Sequence, residues 1–179
     1  MATEIQHHRL EPPVFDVPTR ILIAVAPYYL EISQQLLAGA KAACEAAQTM
    51  YDVVEVPGSL EVPQAIALAT KSGQYDGYVA LGCVIRGETT HYETVCNDSS
   101  RALTLLGLEG HCVGNGILTV ENVDQAVVRA EAAGQNKGGG AAEAALHLIA
   151  LKRRFQPAKR HLLDEGAIQI AGDPGGDVA

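Results

Sequence analysis

Apolar runs and amphipathic stretches alternate along the chain. The apolar runs predict four strands, over residues 20–26, 51–56, 78–85 and 112–120. Apolar residues at helical spacing predict five helices, over residues 32–48, 60–71, 91–106, 121–132 and 141–155. We expect Gly114 and Gly116 to interrupt the fourth strand, and a glycine-rich break to precede the last helix.

This alternation predicts an α/β fold with a four-stranded parallel sheet and helices on both faces. Parallel strands need crossover connections, and helices supply them. Ligand sites in such folds lie beyond the carboxyl ends of the strands. We therefore expect four loops to meet at that edge, over residues 27–31, 57–61, 86–91 and 114–115.

The flanks of the chain differ from its middle. Residues 1–19 are polar and contain three prolines, which predicts an extended N-terminal arm. Residues 20–156 carry all the predicted strands and helices and are expected to form one domain. Residues 157–179 contain prolines and glycines around a short apolar stretch, which is typical of a C-terminal tail that is either disordered or a small accessory element.

The chain is acidic, and its composition narrows the choice of partners. A net charge of -8 and a pI of about 5.1 argue against general affinity for nucleic acid or anionic membranes. An anionic substrate would therefore need a local basic pocket. Aromatic residues make up only 4% of the chain, so small aliphatic side chains must fill the core.

The cysteines and the N-terminal sequence both predict a cytoplasmic protein. Cys44, Cys83, Cys96 and Cys112 form no CxxC pair, which indicates reduced and mostly buried thiols. No apolar signal region precedes the first strand, and no apolar run reaches the length of a membrane span.

The segment over residues 82–92 carries the clearest chemical signal. An apolar strand ends there in a loop and the start of a helix, whose free N–H groups attract anions such as phosphate. Thr89 and Thr90 are expected to cap this helix. Arg86 and His91 flank the loop, so a fixed cation and a group that titrates near neutral pH would lie beside the same anion. The alternative is that Arg86 pairs with a nearby carboxylate and His91 only decorates the helix.

Taken together, the four loops offer two aromatic rings, one carboxylate and backbone donors, which suits a flat polar ring alongside a phosphate. Neither GxGxxG nor GxxxxGK[ST] occurs, which gives little support to a nucleotide cofactor. The histidines and cysteines lack metal-ligand spacing, so we predict no metal.

Four motifs together resemble the 6,7-dimethyl-8-ribityllumazine synthase family: VPGSLEVP, LGCVIRGETTHYETVCN, GNGILTVEN and NKGGGAAEAA. They follow the family's order over residues 20–156. The resemblance implies a flavodoxin-like three-layer fold and a transferase of riboflavin biosynthesis that needs no metal or organic cofactor. The implied reaction condenses 5-amino-6-(D-ribitylamino)uracil with 3,4-dihydroxy-2-butanone 4-phosphate to 6,7-dimethyl-8-ribityllumazine, releasing phosphate and water.

The resemblance also implies roles for individual residues. His91 matches the histidine that shuttles protons, and Arg129 matches the arginine that holds the substrate phosphate. Glu88 and Thr89 match the loop positions that complete the phosphate site.

Other matches concern the pyrimidine and its ribityl chain. Tyr28 falls at the position of an aromatic ring that stacks on the pyrimidine, and Glu61 at the position of an acid that hydrogen-bonds the ribityl chain. The remaining positions implied to line this pocket are Ser59, Leu60, Val84 and Ile85.

Asn115, Arg129 and Lys137 are implied to serve the site of a neighbouring subunit. Taken alone, Arg129 on a helix and Lys137 in a glycine-rich loop are typical of solvated charges. Asn115 replaces an aromatic residue that is common in the family, and from this departure we expect weaker substrate affinity. A second departure is Pro27-Tyr28-Tyr29, which stands where the family more often has Arg-Phe-Asn.

The family assembles as homopentamers, and some members close into icosahedral shells of twelve pentamers. The resemblance therefore implies a homo-oligomer, and the absence of an obvious insertion over residues 130–135 permits a shell. Two alternatives stay open at this point. One is a non-catalytic flavin- or lumazine-binding protein on the same scaffold, and the other is a shell-forming protein whose function is the container itself.

Overall fold

The computed structural model describes residues 10–156, which contain four strands and five helices. The strands are β1 (Arg20–Val25), β2 (Met50–Glu55), β3 (Gly77–Ile85) and β4 (Cys112–Val120). The helices are α1 (Leu30–Ala46), α2 (Glu61–Thr70), α3 (His91–Leu108), α4 (Val123–Ala130) and α5 (Lys137–Phe155). The predicted tail over residues 157–179 and the first nine residues of the predicted arm lie outside the described residues.

The strands form one parallel sheet in the order β2-β1-β3-β4. The two central strands, β1 and β3, are buried over most of their length, as expected of strands covered on both faces. Chain order reverses between these two strands, because β1 is followed by β2 on one side and β3 is followed by β4 on the other. Such a switch point opens a crevice at the carboxyl ends of the strands.

Helices cover both faces of the sheet and give two separate hydrophobic cores. One face packs against α1, α4 and α5, and its core includes Ile23, Leu36 and Leu146. The other packs against α2 and α3, and its core includes Leu22, Ile66 and Leu103. The structure thus has three layers and confirms the predicted α/β fold.

The last helix begins earlier than predicted. Residues 137–140 form the first turn of α5 rather than a glycine-rich break. Asn136 precedes the helix in the left-handed conformation, and its side-chain oxygen accepts a hydrogen bond from the Gly139 N–H at 3.1 Å. A Cβ on Gly138 would lie 2.0 Å from the carbonyl oxygen of Leu36, so the glycine permits α1 and α5 to approach closely.

The fourth strand is continuous, whereas we expected glycines to interrupt it. A Cβ on Gly114 would lie 1.8 Å from the carbonyl oxygen of Ala141. Glycine therefore leaves room for the backbone of α5 against the sheet without breaking the strand. As a result, residues 114–115 lie inside β4, where Asn115 pairs with Ala80. The expectation that they form a loop at the carboxyl edge was wrong.

The amino end of the sheet is held by residues of the predicted arm. Phe15 packs against the first core, and the guanidinium of Arg153 lies 5.0 Å from the centre of its ring. Arg153 also donates a hydrogen bond to the Thr19 hydroxyl and forms an ion pair with Asp76. Within residues 10–156, no helix combines the length and the apolar character that crossing a bilayer requires.

Candidate active site

A cavity of about 460 Å³ opens at the switch point of the sheet. Three loops form it: β1 to α1, β2 to α2, and β3 to α3. Its position fits the rule that ligands of parallel α/β sheets bind beyond the carboxyl ends of the strands. The residues that line it are Tyr28, Tyr29, Gly58, Ser59, Leu60, Glu61, Cys83, Val84, Ile85, Gly87, Thr89, His91, Tyr92 and Val95.

The loop from β1 to α1 supplies two tyrosines. Tyr29 is half-buried against the core, whereas Tyr28 is 74% exposed. Their rings meet edge to face, with centroids 5.1 Å apart. Burial raises the pKa of the Tyr29 phenol, so it stays protonated at neutral pH. The anchored Tyr29 thereby supports Tyr28, whose exposed ring is free to stack on a flat ligand.

The loop from β2 to α2 supplies a carboxylate at the first residue of a helix. Glu61 begins α2, and its backbone N–H donates a hydrogen bond to the carbonyl of Gly58 at 3.1 Å. Ser59 is buried between this loop and β3, and a Cβ on Gly82 would lie only 2.7 Å from its hydroxyl oxygen. The small residue in β3 thus makes room for the serine beneath the cavity.

The loop from β3 to α3 brings the helix start and the imidazole to the cavity. Val84 and Ile85 are half-buried at the end of β3, and His91 is the exposed first residue of α3. Thr89 lines the cavity, whereas Glu88 is exposed in the same loop and does not line it.

The predicted threonine cap of α3 is absent. Thr90 precedes the helix, but its side chain makes no capping hydrogen bond. The nearest substitute is a long contact of 3.4 Å from the His91 N–H to the Thr89 hydroxyl. The first N–H groups of α3 therefore have few protein partners, which favours an anion at this end of the helix.

Arg86 is not a free cation beside this anion site. Its guanidinium pairs with Glu93 and, at 2.7 Å, with Glu121. It also stacks on the Tyr92 ring, 4.1 Å from the ring centre. These hydrogen bonds raise the pKa of Arg86 and lower that of Glu93. The alternative interpretation, in which Arg86 pairs with a nearby carboxylate, is confirmed.

A second cavity lies between β4, α4 and α5, and it contains all three residues assigned to a neighbouring site. Asn115, Arg129 and Lys137 line it together with Gly116, Ile117, Leu118, Thr119, Gly140, Ala141 and Ala144. Arg129 is half-buried, and its Nη1 donates a hydrogen bond to the carbonyl of Gln125 at 2.9 Å. The two cavities share no lining residue. Within one chain, the predicted site residues thus fall into two groups.

The cysteines offer neither a metal site nor a reactive thiol. Within residues 10–156, no group of three or more His, Cys, Asp or Glu residues is placed to hold a metal ion. Cys83 lines the first cavity, but burial raises its pKa to about 11. Its thiol is therefore protonated at neutral pH and is a poor nucleophile.

Several residues that line the first cavity have no role in the sequence-based site. Tyr92, Cys83 and Val95 are the clearest cases. Tyr92 directly follows His91, and its contact with Arg86 depends on the turn of α3 and is not visible in the spacing of the motif. Cys83 belongs to a buried strand, so its sequence context indicates a core residue and gives no sign of a cavity.

Comparison with known proteins supports one family. The model of the family described as 6,7-dimethyl-8-ribityllumazine synthase matches residues 18–153. A protein of that name from Jannaschia sp. (strain CCS1) is 55% identical over 161 residues, covering 89% of this chain and 90% of that protein. A protein of the same name from Bartonella henselae is 57% identical and covers 75% of this chain and 89% of that protein. Another, from Sphingopyxis alaskensis, is 52% identical and covers 75% of this chain and 96% of that protein.

Proposed function

The chain belongs to the 6,7-dimethyl-8-ribityllumazine synthase family, and we propose that its first cavity is where it condenses 5-amino-6-(D-ribitylamino)uracil with 3,4-dihydroxy-2-butanone 4-phosphate. One observation carries the assignment to this cavity. A stacking ring, a carboxylate, an uncapped helix start and an imidazole surround one space at the switch point of the sheet. The similar proteins are all named as synthases, which does not favour a non-catalytic binding protein.

The loops of β1 and β2 suit the ribitylaminouracil. The exposed ring of Tyr28 offers a face for the pyrimidine. Glu61 offers carboxylate oxygens that accept hydrogen bonds from ribityl hydroxyls, and the backbone groups of Ser59 and Leu60 lie beside it. Val84 and Ile85 provide an apolar wall for the ring.

The proposed chemistry needs positioned reactants and proton transfer, not a covalent enzyme intermediate. The 5-amino group attacks the ketone and water leaves, giving an imine. Phosphate is then eliminated, and the ribitylamino nitrogen closes the ring with loss of a second water. His91 is the proton carrier, because imidazole both accepts and donates protons near neutral pH. The binding loops supply the alignment.

Phosphate binding requires cations that the first cavity lacks. No Arg or Lys lines the first cavity, and the nearby Arg86 is neutralised by two carboxylates. Arg129 and Lys137 lie together in the second cavity. We therefore propose that they reach the phosphate in the first cavity of a neighbouring chain, next to Thr89, the backbone of Glu88 and the start of α3.

Exposed apolar residues support a homo-oligomer. The outer faces of α4 and α5 carry large apolar side chains that would face water in a single chain: Val123, Val127, Val128, Leu148, Leu151 and Phe155. We propose a homopentamer, with an icosahedral assembly of twelve pentamers as the larger form. Sedimentation velocity distinguishes the two, and a monomer at micromolar concentration would contradict both.

The cysteines support a cytoplasmic location for the proposed enzyme. Cys44, Cys83, Cys96 and Cys112 are all free thiols, and burial raises the pKa of each. Unpaired thiols are typical of a reducing compartment.

A direct activity assay tests the proposed function. The two substrates are mixed with the chain, and lumazine absorbance is followed over the uncatalysed rate. We expect His91→Ala to lower kcat by about 100-fold, the low end of the range for a positioned proton-transfer group. Arg129→Ala should raise the KM for the butanone phosphate by about 10-fold or more, because a charge-assisted phosphate contact is lost.

The matched controls are His111→Ala and Arg101→Ala, because neither residue lines either cavity. Both controls should retain wild-type kinetics. No turnover by the unmodified chain would contradict the proposed reaction, and a normal KM for Arg129→Ala would overturn the phosphate role alone.

A further inference from the structure

Four side chains form a cluster beside the first cavity, which we call the Arg86 clamp: Arg86, Tyr92, Glu93 and Glu121. Arg86 follows the last residue of β3, and its backbone N–H donates a hydrogen bond to the carbonyl of Val120 at 3.0 Å. The Arg86 side chain contacts residues at the starts of α3 and α4. It does not line either cavity, so it is not placed to touch a bound substrate.

One side of the clamp holds the start of α3. The Arg86 Nη1 donates to the carboxylate of Glu93, which lies in the same helical turn as His91. The guanidinium stacks on the ring of Tyr92, and both Tyr92 and His91 line the cavity. Arg86 thus contacts the two residues that directly follow His91, namely Tyr92 and Glu93.

The start of α3 has little other support. Thr90 supplies no capping hydrogen bond, and among residues 10–156 the only side chain that accepts a hydrogen bond from the His91 N–H is Thr89, at 3.4 Å. Helix ends without caps fray readily. The direction of the His91 side chain therefore depends on what fixes the residues after it, and the Arg86 clamp holds two of them, Tyr92 and Glu93.

The other side of the clamp reaches the start of α4. The Arg86 Nε donates to the Glu121 carboxylate at 2.7 Å, and the Glu121 N–H donates to the Gln125 side chain at 3.0 Å. The Gln125 carbonyl in turn accepts the hydrogen bond from Arg129. A continuous set of polar contacts thus joins the wall of the first cavity to the cation of the second.

We propose that Arg86 is a positioning residue that fixes His91 and Tyr92 at the wall of the cavity without contacting the substrate. This inference rests on the proposed function. The three charged side chains of the clamp are 40–55% exposed. Ion pairs this exposed add little to folding stability. Loss of Arg86 should therefore change the geometry of the site and leave the fold intact.

The kinetic test compares Arg86→Gln and Arg86→Lys with the unmodified chain and with Arg101→Gln, an exposed arginine later in α3. We expect Arg86→Gln to lower kcat by about 10- to 100-fold, the effect of a catalytic group displaced by about 1 Å. The KM for each substrate should stay within about two-fold, because no substrate contact is lost. Arg86→Lys should recover part of kcat, since an ammonium reaches one carboxylate but lacks the planar fork.

The outcomes separate this inference from the proposed function. An inactive unmodified chain would overturn both. With an active unmodified chain, a normal kcat for Arg86→Gln would overturn the positioning role alone. A KM for the butanone phosphate that rises about 10-fold while kcat is retained would instead make Arg86 a phosphate ligand. An equal loss in Arg101→Gln would also overturn the inference. If Arg86→Gln fails to assemble, Arg86→Lys becomes the test, and a wild-type kcat for that variant would overturn the inference.

Discussion

Asn115 stands at a position where the family resemblance implies an aromatic residue. Its side-chain oxygen accepts a hydrogen bond from the Ile117 N–H at 3.0 Å, along the edge of β4. It lies in the second cavity with Arg129 and Lys137. If that cavity completes a neighbour's site, one face of the substrate ring would contact the Asn115 amide. An aromatic ring at this position would stack on the substrate and bind it more tightly.

Replacing Asn115 should therefore change ring binding. We expect Asn115→Phe to lower the KM for the ribitylaminouracil by about 3- to 10-fold, the worth of one aromatic contact. Asn115→Ala is the control, because it removes the amide without adding a ring. An unchanged or larger KM for the phenylalanine variant would count against this account of the residue.

The Arg86 clamp also predicts a pH dependence of stability. Arg86 lowers the pKa of Glu93 below 4.5 in the folded chain. The ion pair therefore stabilises the fold above pH 4.5, and this contribution is lost as the pH falls through the lowered pKa. The melting temperature of the unmodified chain should slightly exceed that of Glu93→Gln at neutral pH, and the difference should shrink below pH 4.5.

Asp98→Asn is the matched control for this measurement, because Asp98 is an exposed acid on α3 that forms no salt bridge within residues 10–156. The difference in melting temperature between Asp98→Asn and the unmodified chain should not shrink as the pH falls. If the difference in melting temperature between Glu93→Gln and the unmodified chain stays the same in strong acid, the claim that Arg86 lowers the pKa of Glu93 is contradicted.

At the residue scale, the sequence identified the loop chemistry but not the partners of Arg86. Gly87, Thr89 and His91 of the GETTH segment line the first cavity together with Glu61. Whether Arg86 is a free cation or pairs with a carboxylate depends on which acids lie near it in the fold. One of its partners, Glu121, is 35 residues away in sequence. Only the pairing of β3 with β4 brings the two residues together.

Among the elements, the glycines of α5 and β4 show how packing overrides local propensity. Glycine disfavours both helix and strand, which led us to expect a break before the last helix and an interruption of the fourth strand. Tertiary contacts decide otherwise, because the sheet, α1 and α5 approach too closely for a side chain. The strand runs and the periodic helices were predictable because burial of one face or both leaves a clear pattern.

This close packing predicts opposite effects of one substitution at two helical glycines. Gly138→Ala should destabilise the chain by about 1–3 kcal/mol, because its Cβ would collide with the backbone of Leu36 and overpack the interface of α1 and α5. Gly107→Ala in α3 should stabilise it by about 0.5–1 kcal/mol, since nothing lies within 4 Å of the added Cβ. Urea unfolding of both variants measures the difference, and equal effects would contradict the packing argument.

At the scale of the whole molecule, each chain carries two cavities, which we propose are halves of shared active sites. The cavity at the switch point has the stacking ring, the carboxylate and His91, and the second cavity has Arg129, Lys137 and Asn115. The sequence alone predicted the first group, because loops that follow parallel strands meet at one edge. The strand pattern had placed Asn115 among the loops at that edge, which was wrong. The role of the second group in a neighbour's site came from the family resemblance, since no local pattern shows which surface of a chain faces a neighbour.

The two half-sites explain why the proposed enzyme needs an assembly. In the proposed ring of identical chains with head-to-tail contacts, every first cavity would meet the second cavity of the next chain. Val127 and Val128, which are exposed on α4 and directly precede Arg129, would be buried by such a contact. Catalysis and assembly are therefore one proposal at this scale.

Subunit complementation tests this central claim most directly. His91→Ala and Arg129→Ala chains carrying different tags are co-expressed, and mixed oligomers are isolated by tandem purification. Activity is measured with the butanone phosphate far below its KM, where the loss of either residue slows turnover. Half of the first cavities then contain His91, and half of their neighbours contain Arg129, so about a quarter of the sites should be intact and active at the wild-type rate. Mixed oligomers no more active than either variant alone would show that the two residues do not serve one shared site.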